Sequence, residues 1–268
     1  MNNIGIAFLL TALAGLSTGI GSLIALVTKK TNKRFLSFSL GLSAGVMIYV
    51  SMVELFPQAK TLLSGAYSAK QAAIFTALSF FGGMFLIAFI DRIIPSETNP
   101  HESKLVEDMN DTSHVHVQNK LLRTGFLTAL AIGVHNFPEG LATFVAALQE
   151  PTVAIPIVVA IAIHNIPEGI AVSVPIYFAT GNRKKAFVYS FLSGLSEPVG
   201  AVVGYLLLMP FINDTVNGVI FAAIAGIMVF ISLDELLPSA REYGEHHLSI
   251  YGLVTGMIIM AGSLILFM

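Results

Sequence analysis

Two copies of one six-residue phrase carry the side chains of this chain that are best suited to chemistry. The phrases are His135-Asn136-Phe137-Pro138-Glu139-Gly140 and His164-Asn165-Ile166-Pro167-Glu168-Gly169, and each lies within a long apolar stretch. The histidine and glutamate of a phrase are four residues apart, so on a helix they project from one face. Ionisable side chains cost roughly 2.5 to 3.5 kcal/mol each at the centre of a membrane helix, so several together require partners or a bound ion. We therefore predict a metal site inside the membrane.

The two phrases supply a set of nitrogen and oxygen ligands. The chain contains no cysteine, which excludes thiolate ligands. One imidazole and one carboxylate from each phrase could converge on a divalent cation: His135, Glu139, His164 and Glu168. Two imidazoles with two carboxylates suit Zn²⁺, at ~2.0 to 2.2 Å per bond. Zinc is therefore the metal that this set predicts.

A second site with oxygen ligands alone is predicted beside the first. Asn136 and Asn165 each follow a histidine by one residue, which is about 100° around a helix, and they can join the remaining lone pairs of the two glutamates. Glu197 is the only charged residue of its apolar stretch, and it is the natural partner for this set. Harder ions such as Fe²⁺ or Mn²⁺ would accept these ligands. Two metals would then share bridging carboxylates.

Proline and glycine flank the candidate ligands in both phrases. Pro138 and Pro167 have no N–H to donate, so each helix is expected to kink or open beside its ligands. Gly140 and Gly169 follow the two glutamates directly and are expected to allow the close helix approach that would bring the two ligand pairs onto one cation.

The composition is that of an all-α integral membrane protein. Of 268 residues, 55% are hydrophobic and only 11% are charged, and the mean hydropathy is +0.79. Apolar runs long enough to cross ~30 Å of hydrocarbon as helices predict about eight spans within a single domain, 1–268. Their predicted bounds are 4–27, 35–56, 72–94, 122–148, 152–178, 187–209, 216–237 and 248–268.

Basic residues predict how the chain threads the membrane. Lys29 and Lys30 follow span one, and Arg183 and Lys184 lie between spans five and six, so both loops are placed in the cytoplasm. Both termini then face outward from a multi-pass protein of the cell membrane. The same threading makes the longer loop 95–121, between spans three and four, cytoplasmic.

Histidines outside the phrases have two readings. His101, His114 and His116 lie in the loop 95–121 and could capture metal, but a solvated acidic linker explains the same residues and is favoured. His246 and His247 are equally ambiguous, as exit ligands or as part of an ordinary loop. None of them belongs to the predicted core site.

Two sequence matches in the same order predict an internal repeat. Gly15–Gly21 in span one resembles Gly194–Gly200 in span six, and Ser51–Pro57 at the end of span two resembles Ser232–Pro238 in span seven. An odd number of crossings separates the paired spans, so they run in opposite directions, as in inverted-repeat transporters. The predicted arrangement is 3+2+3, with the two metal-binding helices, spans four and five, at the repeat interface.

Three further carboxylates are predicted at the ends of spans two and seven. Glu54 ends span two, and Asp234 and Glu235 end span seven, so the inverted repeat would place them on opposite membrane faces. They could guide cations in and out, or they could simply reach into water as charged groups at helix ends do. The sequence favours neither reading.

Other function classes are disfavoured or left open. The net charge is only -2 and there is no basic stripe, so nucleic acid is not an expected partner. A rival interpretation is an intramembrane zinc-dependent hydrolase, but no His-Glu-x-x-His helix is present. A metal sensor without flux remains as a third interpretation. We predict a transporter and not an enzyme, and we expect no prosthetic group. The oligomeric state is open, and a homodimer is one possibility.

Two neighbouring His-Asn-x-Pro-Glu-Gly helices followed by Ser196-Glu197-Pro198 resemble the ZIP family of metal-ion transporters, over the whole predicted span pattern. The resemblance implies uptake of Zn²⁺, often with Fe²⁺, Mn²⁺ or other divalent ions, into the cytoplasm through a binuclear centre on spans four to six. It implies one metal on His135, Glu139, His164 and Glu168, and a second on Asn136, Glu139, Asn165, Glu168 and Glu197.

This chain has its own residues at two variable positions of the family pattern. Some members carry Gln at the position of His164 and Asp at that of Asn165. His164 favours zinc affinity, whereas Asn165 removes a negative charge from the second site. The occupancy of the second site therefore stays open.

Overall fold

The computed structural model describes residues 3–27, 33–93, 129, 133–134, 136–148, 151–211, 213–242 and 246–266. Within these ranges the chain is almost entirely helical and contains no β-strand. The predicted loop 95–121, its three histidines and His135 lie outside the described residues.

Four of the predicted spans are single uninterrupted helices. They are span one (Ile4–Val27), span three (Ala69–Ile93), span five (Pro151–Thr180) and span eight (His246–Leu266). Span four is described as a helix over 136–148. Span eight starts at His246, and the ring of the exposed His247 stacks on Tyr251 with the ring centroids 6.4 Å apart.

Three spans combine several helical segments. Span two consists of Lys33–Val50, Ser51–Leu55 and Phe56–Ser64. Span six consists of Arg183–Gly194, Ser196–Val203, Gly204–Leu208 and Met209–Phe211. Span seven consists of Asp214–Ile231, Ser232–Leu236 and Leu237–Glu242.

Seven of the described helical spans are long and apolar enough to cross a membrane, by length and composition. The fourth predicted span, 122–148, is described as a continuous helix only over 136–148 and is not among the seven. The prediction of an all-α, multi-pass membrane protein is confirmed.

Spans two and seven each contain a π-helical turn, Ser51–Leu55 and Ser232–Leu236, at equivalent positions of the repeat. In both, the residue after the turn donates its N–H to the carbonyl of the serine that starts it. A proline, Pro57 or Pro238, follows one residue later. Because proline has no N–H and its ring crowds the preceding turn, a wider turn lets the helix continue past it.

The predicted ends of spans two and seven, at residues 56 and 237, are therefore wrong. The helices continue to Ser64 and Glu242. Glu54, Asp234 and Glu235 lie within π-helical turns inside these spans and not at helix ends. The predicted bounds end one residue before each proline, whereas the helices continue past Pro57 and Pro238 beyond the π-helical turns.

Glycines pack spans two and eight together in a parallel arrangement. A Cβ atom at Gly41 would collide with the carbonyl of Ser249, and one at Gly45 with the carbonyl of Leu253. The contact positions advance together along both helices, so spans two and eight run in the same direction. This parallel arrangement agrees with the eight predicted spans, in which an even number of chain reversals separates spans two and eight.

The repeat is visible in equivalent contacts. Gly45 of span two abuts the carbonyl of Leu253 in span eight, and its counterpart Gly226 of span seven abuts the carbonyl of Phe80 in span three. The contact between spans two and eight thus recurs between spans seven and three, which are their counterparts in the repeat.

The central spans follow the same rule. Gly21 of span one abuts the carbonyl of Ile166 in span five, and Gly200 of span six abuts the carbonyl of Phe137 in span four. The predicted repeat therefore exchanges one with six, two with seven, three with eight and four with five. With the parity of the spans, these contacts support the inverted 3+2+3 arrangement.

An aromatic cluster ties span four to its neighbours. The ring of Phe144 in span four lies 4.8 Å from that of Phe8 in span one and 6.2 Å from that of Tyr205 in span six, between centroids. Phe144 is fully buried. This packing holds span four, and hence its part of the candidate site, against spans one and six.

Candidate metal centre

His164 and Glu139 meet between the two central spans. The Nε2 atom of His164 lies 3.1 Å from Oε2 of Glu139, and both residues have 0% exposure. Whether this nitrogen donates or accepts depends on the tautomer of the imidazole. An imidazole from one phrase and a carboxylate from the other are thus brought together, as the first predicted ligand set requires.

Asn165 connects spans five, six and one. Its Nδ2 atom donates to the Glu197 carboxylate and, at 3.0 Å, to the backbone carbonyl of Ala14. Asn165 and Glu197 are both fully buried. The second predicted set therefore has its span-five amide and its span-six carboxylate in direct contact.

Three carboxylates share this interior region. Glu139 and Glu168 both interact electrostatically with Glu197. Glu139 and Glu197 are fully buried and Glu168 is 5% exposed. Asn136, the remaining described member of the second set, is also fully buried. Carboxylates that crowd together away from water repel one another unless protons or a cation compensate the charge.

Several acceptor oxygens of the cluster are buried without a donor. Glu139 Oε1, Asn165 Oδ1 and Glu197 Oε2 have no hydrogen-bond partner among the described residues. A buried polar atom left without a partner costs ~1 to 3 kcal/mol, and more if it is charged. A cation would satisfy all three, because each is an acceptor and none is a donor when the carboxylates are ionised.

The described part of the cluster does not by itself form a complete metal site. Among the described residues, no group of three or more His, Cys, Asp or Glu side chains has an arrangement that could hold a metal ion. The first predicted set includes His135, which lies outside those residues. The structure therefore brings together His164 with Glu139 and Asn165 with Glu197.

The helix of span five continues through Pro167 without interruption. The expected opening of the helix beside its ligands is therefore not observed at this proline. Pro138 likewise lies within the helix 136–148.

The two phrase glycines do permit close helix approach, but to partners that differ from the prediction. Gly140 abuts the carbonyl of Glu197 in span six, and Gly169 abuts the carbonyl of Thr18 in span one. Spans four and five are thus each anchored to a repeat-related outer helix, and not to one another, by these glycines. The approach still serves the site, because it brings the backbone of Glu197 directly beside the Glu139 turn.

Two contacts at the site were not predicted from the sequence. The carbonyl of Ala14 accepts from Asn165, and the buried Ser190 Oγ donates to the carbonyl of Gly169 at 3.0 Å. Both bonds use a backbone carbonyl, which any residue type supplies. The serine position gave no signal that separates it from the other small residues of span six.

A multi-pass helical protein whose interior gathers three carboxylates, an imidazole and an amide has the side chains with which membrane proteins bind cations within the bilayer. A protein-family model described as "ZIP Zinc transporter" matches residues 93–264. The chain belongs to the ZIP family.

Relatives similar over nearly their whole length carry one name, "Zinc transporter ZupT". The chain is 67% identical to the protein of that name from Streptococcus mutans over 261 residues, which cover 97% of each chain. It is 60% identical to that of Clostridium perfringens over 278 residues, covering 100% of this chain and 98% of the relative. It is 61% identical to that of Oceanobacillus iheyensis over 266 residues, covering 99% of each.

Proposed function

We propose that this chain takes up Zn²⁺ across the cell membrane into the cytoplasm through the carboxylate cluster on spans four to six. The observation that carries the proposal is the set of buried oxygens of Glu139, Asn165 and Glu197 that have no donor among the described residues. Such atoms are costly unless a cation binds them. Membership of the ZIP family and the name of the relatives identify the cation as zinc.

The ligands that we propose are those of the two predicted sets. The first metal would bind to two imidazoles and two carboxylates: His135, Glu139, His164 and Glu168. The second would bind to amides and carboxylates: Asn136, Glu139, Asn165, Glu168 and Glu197. The contacts of His164 with Glu139 and of Asn165 with Glu197 support one pair in each set.

The second set extends the proposal to other cations. Carboxylate and amide oxygens are ligands that harder ions such as Fe²⁺ and Mn²⁺ accept. We propose that these ions are alternative substrates and that they compete with Zn²⁺ for the shared glutamates.

The orientation completes the proposal. The whole chain, 1–268, would act as one transporter domain of the cell membrane with both termini outside and the loop 95–121 in the cytoplasm. A doubly charged ion that crosses the whole field of an inside-negative potential gains roughly 4.6 kcal/mol per 100 mV, twice the value for a single charge. An inside-negative potential would therefore favour uptake. A homodimer is the oligomer that we propose to test first.

Two rival functions are compatible with the sequence. An intramembrane hydrolase would use the same histidines to hold a catalytic zinc, and a sensor would bind metal without flux. Family membership and the relatives' shared name favour transport over both.

Uptake of Zn²⁺ into proteoliposomes with an imposed inside-negative potential tests the proposal. The intact chain is compared with Glu139→Ala and Glu168→Ala at matched incorporation and orientation. The intact chain should accumulate Zn²⁺, and both variants should lose this flux because each glutamate belongs to both ligand sets.

Asp214→Asn is the matched control, since Asp214 is an exposed carboxylate at the start of span seven. This variant should transport as the intact chain does. Tight zinc binding by the intact chain without any flux would contradict transport and favour the sensor or the hydrolase.

A further inference from the structure

Thr18 occupies in span one the position that Glu197 occupies in span six. The repeat aligns Gly15-Leu16-Ser17-Thr18 with Gly194-Leu195-Ser196-Glu197. The hydrogen bonds follow this alignment: Ser17 Oγ donates to the carbonyl three residues before it, and so does Ser196 Oγ. The glutamate of the centre thus has a repeat-related counterpart that is a neutral residue.

Packing around the two positions is equivalent. Gly169, next to Glu168, abuts the carbonyl of Thr18, and Gly140, next to Glu139, abuts the carbonyl of Glu197. Thr18 therefore stands beside the span-five glutamate as Glu197 stands beside the span-four glutamate.

The side chain of Thr18 lies in the protein interior and packs against Gly194 of span six. It is 0% exposed, and its Oγ1 has no hydrogen-bond partner among the described residues. A Cβ atom at Gly194 would lie 2.8 Å from this hydroxyl oxygen, so the hydroxyl faces span six one turn before Glu197. One turn before Thr18, the carbonyl of Ala14 accepts from Asn165. Thr18 thus lies one turn from the Asn165 contact along span one, and its hydroxyl faces span six one turn from Glu197.

We propose that Thr18 lines the metal centre and limits its negative charge, because it presents a neutral oxygen where the repeat would otherwise place a fourth carboxylate. This inference rests on the proposed transport function and specifies the same site. The number of charged ligands tunes the affinity of a cation site. Four carboxylates would balance two divalent ions and retain them, whereas three leave the second ion bound less tightly. A transport site must release what it binds.

Zinc titration of the purified, metal-free protein tests the hydroxyl. Thr18→Val keeps the shape of the side chain and removes its oxygen, so Zn²⁺ affinity should fall about fivefold, the equivalent of one net hydrogen bond. Thr18→Ser keeps the oxygen and should stay within about twofold of the intact chain. Thr18→Asp adds a carboxylate, and should bind the second Zn²⁺ more tightly while uptake slows.

Cadmium provides a spectroscopic test that does not depend on transport. The natural chain has no cysteine, so Thr18→Cys introduces a unique thiol. Because thiolates prefer soft ions, Cd²⁺ should bind this variant more tightly relative to Zn²⁺ and should produce the ultraviolet charge-transfer absorption of a cadmium thiolate. Thr11→Cys is the matched control, because Thr11 is equally buried on span one but its hydroxyl already donates to the carbonyl of Ala7.

The outcomes separate this inference from the proposed function. No cadmium-thiolate band from Thr18→Cys, with zinc affinity unchanged in Thr18→Val, would overturn the role of Thr18 while the intact chain still transports zinc. Failure of the intact chain to bind or transport zinc would instead overturn the proposed function itself. If Thr18→Val did not fold, the absorption test on Thr18→Cys would decide alone.

Discussion

The Nε2 atom of His164 lies 3.1 Å from Oε2 of Glu139, and this contact joins the two central helices where neither side chain is exposed. The two residues come from different copies of the repeated phrase, 25 positions apart in the chain. An imidazole and a carboxylate from repeat-related helices are therefore already adjacent at the interface of the two halves, which is where inverted-repeat transporters hold their substrates.

Replacement of His164 should change the metal preference of the centre. His164→Ala removes an imidazole, which favours zinc, and leaves the carboxylates, which accept manganese equally well. We expect Zn²⁺ affinity to fall by at least about tenfold and Mn²⁺ affinity to fall less, measured by titration of the metal-free protein. The exposed His247 supplies the control variant, His247→Ala. An equal loss for both metals would argue against a ligand role for His164.

A carboxylate at position 165 should make stability depend on metal. In Asn165→Asp, two donated hydrogen bonds are lost and a second negative charge faces Glu197. The metal-free variant should lose about 1 to 3 kcal/mol, seen as a lower midpoint of thermal unfolding. Zn²⁺ should raise the unfolding midpoint of Asn165→Asp by more than it raises that of the intact chain, because a ligand stabilises the folded state that it binds.

Asn213→Asp is the control for that experiment. Asn213 caps span seven at an exposed position and accepts from the N–H of Val216, a role that aspartate performs equally well. Its midpoint should stay close to that of the intact chain, with or without zinc. A zinc-induced shift in Asn165→Asp no larger than in the intact chain would contradict the placement of residue 165 in the centre.

Two adjacent glycines of span three test the helix packing. A Cβ atom at Gly83 would collide with the backbone of Ala223 in span seven, whereas one at Gly82 meets nothing within 4 Å. Gly83→Ala should destabilise the protein in detergent by about 1 to 3 kcal/mol or more. Gly82→Ala should be neutral or gain up to about 1 kcal/mol, because alanine favours the helix. Equal unfolding midpoints for the two variants would refute the packing of spans three and seven.

Single cysteines in this naturally cysteine-free chain test the orientation. Lys70 and Lys184 are both exposed, and the proposed threading places Lys70 outside and Lys184 in the cytoplasm. A membrane-impermeant maleimide should label Lys70→Cys in intact cells and Lys184→Cys only after permeabilisation. The reverse labelling pattern would show that the protein has the opposite orientation in the membrane.

The clustering of buried polar side chains on spans four to six could be predicted from the sequence, because charged side chains in apolar stretches have few alternatives. The contact of His164 with Glu139 agrees with the first predicted set, and that of Asn165 with Glu197 agrees with the second, which added the lone carboxylate of span six to the two phrases. The bonds to the carbonyls of Ala14 and Gly169 could not be predicted, because a carbonyl acceptor leaves no mark on its own residue type. Thr18 carried a signal only through its alignment with Glu197 in the repeat.

The fold shows where local rules were insufficient. The apolar runs predict that spans two and seven end at residues 56 and 237, but both helices continue past Pro57 and Pro238, and a π-helical turn accommodates each proline. Gly140 and Gly169 were correctly read as points of close approach, yet which helix approaches depends on the packing of the whole bundle. Residue type thus predicted the kind of contact and left the partner undetermined.

The most direct test of the central claim is anomalous diffraction at the zinc edge from crystals of the zinc-loaded protein. We predict a zinc peak at ~2.0 to 2.2 Å from carboxylate oxygens of Glu139 and Glu168 and from the imidazole of His164. A weaker second peak beside Asn165 and Glu197 would correspond to the second site. Zinc found only elsewhere in the protein, with these side chains bonded to one another or to water, would contradict the account.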